Sequence, residues 1–146
     1  MADEKRIALM HDFVKSLENE DREKFMSIVT DDFCWNTPFG RFCGRDELNR
    51  YLDWFHSTTK NLKFQDVGVE AMVQGDRGIY EHEISGNMQG ENAKFLSMCS
   101  YKFKDDKIHE INTVYDRLSI AEQASNKWLP KKVVNTLVKQ LHKGLD

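Results

Sequence analysis

The chain has 146 residues, of which 40% are apolar, 31% charged and 11% aromatic. That length fits one domain and buries roughly 68–70% of its unfolded surface, enough for a core without staples. A net charge of −3, with 8 Gly and 2 Pro, excludes a broad nucleic-acid binder and a collagenous or low-complexity chain. No apolar run approaches ~18 residues, so no membrane-spanning helix is expected. The segment Met1–Arg6 is charged and lacks the apolar core of a signal peptide, so a soluble, cytoplasmic protein is expected. The charge is unevenly spread: residues 127–146 carry +4 and the remainder −7.

In chain order, Ile7, Met10, Phe13, Val14 and Leu17 fall at helical spacing and predict a first helix. Asp21 suits the N-cap of a short second helix that turns Phe25, Met26, Ile28 and Val29 inward. Thr30-Asp31-Asp32 reads as a turn and Phe33 to Thr37 as a short strand, broken by Pro38-Phe39-Gly40. Gly44 to Glu47 opens a third helix with Leu48, Tyr51, Leu52 and Phe55 on one face. After residue 60 the period changes to two. Val67, Val69, Ala71 and Val73 share a face of one strand, and Tyr80, His82, Ile84 and Gly86 a face of the next. Phe95, Ser97, Cys99, Tyr101 and Phe103 line a third strand, with Leu96 and Met98 on its back. His109, Ile111, Thr113 and Tyr115 line a fourth. Three helices with one strand among them, followed by a meander, predict an α+β fold rather than alternating α/β. Residues 125–146 read as a separate helix: Pro130 suits its start, Val133 or Val134 with Leu137, Val138 and Leu141 its apolar stripe, Gly144 its stop. Trp128 and Leu129 are expected to anchor it across the domain or a dimer mate.

Cys34, Cys43 and Cys99 are odd in number and include no Cys-x-x-Cys, so reduced, buried thiols are expected rather than a disulfide framework or a zinc site. The five histidines show no i, i+4 pair and no HExxH, so no metal is expected. Asp116-Arg117 reads as a surface ion pair at the end of the last strand.

The order of these elements carries a resemblance. A helix leads to Leu17-Glu18-Asn19-Glu20-Asp21, then Phe25 to Val29, then Asp31-Asp32-Phe33-x-Trp35-x-x-Pro38-x-Gly40 and Gly44-x-x-Glu47-Leu48. The meander then ends with Asp106-Lys107-Ile108 and Tyr115-Asp116-Arg117-Leu118. Over residues 5–122 this resembles the SnoaL-like branch of the nuclear transport factor 2-like superfamily. The resemblance implies a cystatin-like conical α+β barrel. Its N-terminal helices would pack in a strongly curved mixed or antiparallel sheet around an apolar pocket, with an extra C-terminal helix. Residues 1–122 would form the barrel domain and 123–146 a basic amphipathic helix. The superfamily includes ketosteroid isomerases, polyketide cyclases, limonene epoxide hydrolase, scytalone dehydratase and proteins that only bind or scaffold, so the site must decide function.

The isomerases have an Asp base before the Pro-x-Gly, where this chain has Thr37. Their oxyanion groups match Phe13 and Cys99, and the Asp of the cyclases and the epoxide hydrolase matches Thr113. None of these residues supplies the base or the strong donors that an enolate needs. His82 remains, on the pocket face between Tyr80 and Ile84, as the expected acid/base, and scytalone dehydratase resembles this in using pocket histidines. His109 is a distant second. Pairing of Cys99 with His82 as a nucleophile is weighed against a buried, inert thiol. The expected pocket residues are Trp35, Thr37, Phe39, Trp54, Tyr80 and Ile84, with Ser97, Cys99, Tyr101, Thr113 and Tyr115 from the later strands. The expected partner is a small hydrophobic, cyclic molecule, with no cofactor and no nucleic acid. Turnover would be isomerisation, cyclisation or dehydration by proton transfer. The alternative is a non-catalytic ligand-binding or interaction module. A homodimer would use the outward Leu96 and Met98.

Overall fold

The structure is a computed structural model that describes residues 1–124 and 128–143. The chain runs α1 (Ala2–Glu18), α2 (Arg22–Ile28), β1 (Val29–Thr37), β2 (Gly40–Cys43), α3 (Gly44–Thr58), β3 (Thr59–Gln74), β4 (Arg77–Met88), β5 (Glu91–Lys104), β6 (Lys107–Tyr115), α4 (Arg117–Ala124) and α5 (Trp128–Leu141). One six-stranded sheet has the order β2-β1-β6-β5-β4-β3. Only the β1–β6 pairing is parallel, so the sheet is mixed. This is the expected α+β architecture.

The sheet closes on α1. Met10, Phe13, Val14 and Leu17 are buried along one helical face. The Phe13 ring meets Phe25, Trp35 and Tyr101 at 5.1–6.0 Å between centroids. Burial of these large aromatic groups adds to the hydrophobic drive to fold. Glu18 ties the end of α1 to β3: its carboxylate accepts from the Phe64 N–H at 2.7 Å and pairs with Lys15 at 2.8 Å. Burial opposes that charge, but the Lys15 ammonium and the Phe64 N–H outweigh it and hold the Glu18 pKa below its ordinary value. Asp21 caps α2 as expected, accepting from the Lys24 N–H at 2.9 Å.

Several expectations are corrected. Thr30-Asp31-Asp32 is strand, not turn, because α2 passes directly into β1 at Val29. Asp31 there pairs with Arg45 at 2.6 Å. Pro38-Phe39-Gly40 does not merely break the strand; it turns it into the short antiparallel β2. That hairpin sets Cys34 opposite Cys43 with Cα atoms 4.2 Å apart, and the two form a disulfide. The expectation of three reduced thiols therefore fails; only Cys99 is free, and it is buried. A cross-strand pair is invisible while β2 is unread. In β3 the alternation breaks between Asp66 and Ala71, where the register with β4 shifts and Val69 turns outward. Gly68 permits the shift: its φ is +59°, and a Cβ there would collide with the Glu81 carboxylate. Asp116 and Arg117 form no ion pair with each other among the described residues. Asp116 instead caps α4, accepting from the Leu118 and Ser119 N–H groups at 2.9 and 3.2 Å.

The sequence shows no periodicity to announce α4, and the expected domain boundary at 122 falls inside it. Gln123 fixes α4 to the sheet. Its amide accepts from the Lys94 N–H and donates to the Lys94 carbonyl, both at 2.8 Å. α5 packs chiefly on α4 among the described elements, and Val133, Leu137 and Leu141 stay exposed. The side chains of Trp128 and Leu129, and Gly144, lie outside the described residues.

Candidate functional site

Inward-facing positions of β4, β5 and β6 meet in register beneath α1 and α3. His82 stands opposite Ser97, which stands opposite Tyr115; Tyr80 faces Cys99, which faces Thr113. This follows from the period of two: residues that alternate inward on each strand form rows across the sheet. Around them lies a narrow inner cavity of about 40 Å³. Its walls include Trp35, Thr37, His82, Ile84, Ser97 and Cys99. Thr113 and Tyr115 complete the strand side, and Phe13, Tyr51, Phe55 and Phe64 the rest.

His82 is 1% exposed. Its ring packs edge-on against Tyr80 and Phe64 at 4.7 and 5.0 Å. The Nδ1 atom and the Ser97 Oγ are buried without a hydrogen-bond partner. Burial lowers the His82 pKa to about 4, against a smaller opposing pull from Asp66, so the imidazole is neutral at pH 7. The hydroxyls of Thr113 and Thr37 are engaged. Thr113 Oγ1 accepts from the Trp35 indole at 2.9 Å and lies 3.3 Å from the Cys99 sulfur. Thr37 accepts from the Phe39 N–H and donates to the Gly40 carbonyl, holding the β1–β2 turn. Burial pushes the Cys99 thiol up to about 11, and its hydrogen-bond partner is Thr113 rather than His82. The arrangement does not make Cys99 a nucleophile.

A wider cleft of about 330 Å³ opens outside the inner cavity and shares Phe55, Ile84 and Tyr115 with it as walls. Its size lies at the lower end of small-ligand pockets. Phe39 and Trp54 form one lip, with ring centroids 4.9 Å apart. Ile120, Ala121 and Ala124 of α4 form the other.

Ten of the twelve expected site residues line the inner cavity or the cleft, whereas Tyr80 and Tyr101 line neither. Tyr80 turns its hydroxyl to the Asp66 carboxylate and to His11 Nδ1, the latter at 3.2 Å. Tyr101 is buried between Phe13 and Phe103. His109 is remote, at the β1–β6 seam, 3.0 Å from Thr30 Oγ1. Sequence reasoning missed Phe55, Phe64 and the whole α4 wall. Phe55 carried a helical-face signal that was read only as core. Among the described residues no cluster of three or more His, Cys, Asp or Glu side chains could hold a metal, and no helix is long and apolar enough to cross a membrane.

Solved structures share this fold. One is a hypothetical protein of ketosteroid isomerase-like fold from Catenulispora acidiphila DSM 44928, in complex with trimethylamine. It is 12% identical, covering 80% of this chain and 91% of that one, with TM-score 0.72. TerC, co-crystallised with polyporic acid, is 17% identical over 82% of this chain and 98% of that one, with TM-score 0.73. An LEH-like epoxide hydrolase of M. tuberculosis is 15% identical over 94% of this chain and 99% of that one, with TM-score 0.72. A comparison with curated proteins finds no match. The sequence profile of the SnoaL-like domain matches residues 10–111, from the second half of α1 to the middle of β6. With that match on this fold, the chain belongs to the SnoaL-like domain family.

Proposed function

We propose that this protein binds a small hydrophobic, cyclic molecule in the cleft between α3, α4 and the sheet. His82 then moves a proton on it without a cofactor, in an isomerisation, cyclisation or dehydration. The observation that carries this reading is the buried pair of His82 Nδ1 and Ser97 Oγ, both without partners. Leaving such a group unsatisfied costs about 1–3 kcal/mol, which a polar group of a ligand reaching the inner cavity offsets. A neutral imidazole can accept a proton, and the hydroxyls of Ser97 and Tyr115 can donate to the oxygen on which charge develops. The small molecules named with two of the similar structures, trimethylamine and polyporic acid, support a ligand-holding role for the fold.

A panel of cyclic ketones, epoxides and hydroxylated polycyclic compounds tests this on wild type, His82→Phe and His82→Gln, with folding checked by near-ultraviolet circular dichroism. Turnover should fall roughly 10²–10⁴-fold in both folded variants. Wild-type turnover in His82→Gln would sink the assignment.

A second reading, a non-catalytic binding module, is favoured by the engagement of the Thr37 and Thr113 hydroxyls within the protein and by the tightness of the inner cavity. It expects binding without turnover across the same panel. The proposal also includes a homodimer. Leu96 and Met98 face outward on β5, beside Ile79 of β4 and Val114 of β6, with Leu96 53% and Val114 61% exposed. A second copy would cover this apolar face.

A further inference from the structure

The geometry points to a ligand that carries an oxyanion, of the carboxylate type, held by Arg117 at the rim of the outer cleft. This rests on the reading of that cleft as the binding site. Among the described residues that line the cleft, Arg117 is the only charged one. Its guanidinium carbon lies 4.9 Å from the centre of the Phe39 ring. Its Nη1 donates to the Pro38 carbonyl at 3.1 Å. The ring and the carbonyl hold the planar group in place and leave most of its five donors for a ligand. Among the described residues it has no carboxylate partner. The adjacent acid, Asp116, directs its carboxylate to the first N–H groups of α4.

The rest of the wall explains why a charge belongs at that one end. Phe39, Leu62, Ile84 and Phe95 offer apolar surface, and Trp54, Thr59, Gln89 and Tyr115 carry neutral polar groups. The Thr58 hydroxyl donates to the Trp54 carbonyl within α3, at 2.9 Å. Among the described residues no acidic side chain lines the cleft, so an anion meets attraction at Arg117 and no repulsion from its lining, whereas an amine meets a positive charge. The ligand is therefore an apolar ring system with an acidic group toward Arg117, its body running along Ile84 and Tyr115 toward His82.

Two dyes with the same rings test this: anilinonaphthalene sulfonate, an anion, and N-phenylnaphthylamine, which is uncharged. Fluorescence titrations use wild type, Arg117→Gln and Ala121→Trp, the last narrowing the cleft from α4. Wild type should bind the sulfonate more tightly. Arg117→Gln should weaken the sulfonate about tenfold and leave the neutral dye unchanged. Ala121→Trp should weaken both. If Arg117→Gln binds the sulfonate as wild type does while Ala121→Trp weakens both dyes, the anion proposal fails and the cleft reading stands. If Ala121→Trp changes neither dye, the cleft reading fails and the proposal with it.

Discussion

His82 is a neutral imidazole enclosed by aromatic rings, and its burial makes the stability of the protein sensitive to acid. Its pKa is about 4 in the folded chain and about 6.5 when unfolded. Between those values the unfolded state binds a proton that the folded state refuses. The contribution of His82 is thus fully present above pH 6.5 and is lost as pH falls toward 4, a difference of about 3 kcal/mol. His82→Phe should flatten that part of the stability profile, measured as denaturation midpoint from pH 7 to pH 4; an unchanged slope would show that the ring is solvated. That His82 faces inward was legible from strand parity alone, since Tyr80 and Ile84 flank it at the same period. That its Nδ1 lacks a partner was not legible. The neighbouring hydroxyls of Tyr80 and Tyr101 had to be placed first, and the structure turns Tyr80 toward Asp66 and His11.

At the scale of elements, the helices α1 to α3 and the strands β4 to β6 follow from spacing, because each buries one regular stripe. The elements that spacing did not reveal are held by particular contacts. β2 is four residues long and exists by pairing with β1. α4 has no fully buried residue; Ile120 packs at the edge of the core, and Gln123 ties the helix to the Lys94 backbone, where β5 runs on beyond its pairing with β6. Gln123→Ala should release α4, leave the global unfolding midpoint within a degree or two and weaken ligand or dye binding several-fold. Hydrogen exchange of the α4 amides, faster in the variant, separates this from a direct effect on the ligand. If α4 amides exchange at the wild-type rate, Gln123 is not its tether.

At the scale of the molecule, two apolar surfaces stand uncovered among the described residues. The convex face of β4, β5 and β6 displays Ile79, Leu96, Met98 and Val114. If it is the dimer face, sedimentation should show two copies for wild type and one for Leu96→Lys with Val114→Lys, with the monomer still folded. A wild-type monomer at high concentration would reject the dimer. α5 is the other surface, with Val133, Leu137 and Leu141 exposed.

The sequence alone determined the α+β class, the inward rows of β4 to β6 and the place of His82. All three depend on local periodicity, which a chain carries in its order of residues. The tertiary structure decided what needs residues distant in sequence to meet. It joined Cys34 to Cys43 by pairing two strands, gave Asp116 to the cap of α4, and placed Arg117 over Phe39 at the rim of the cleft. Those meetings depend on register and packing, which no single segment encodes.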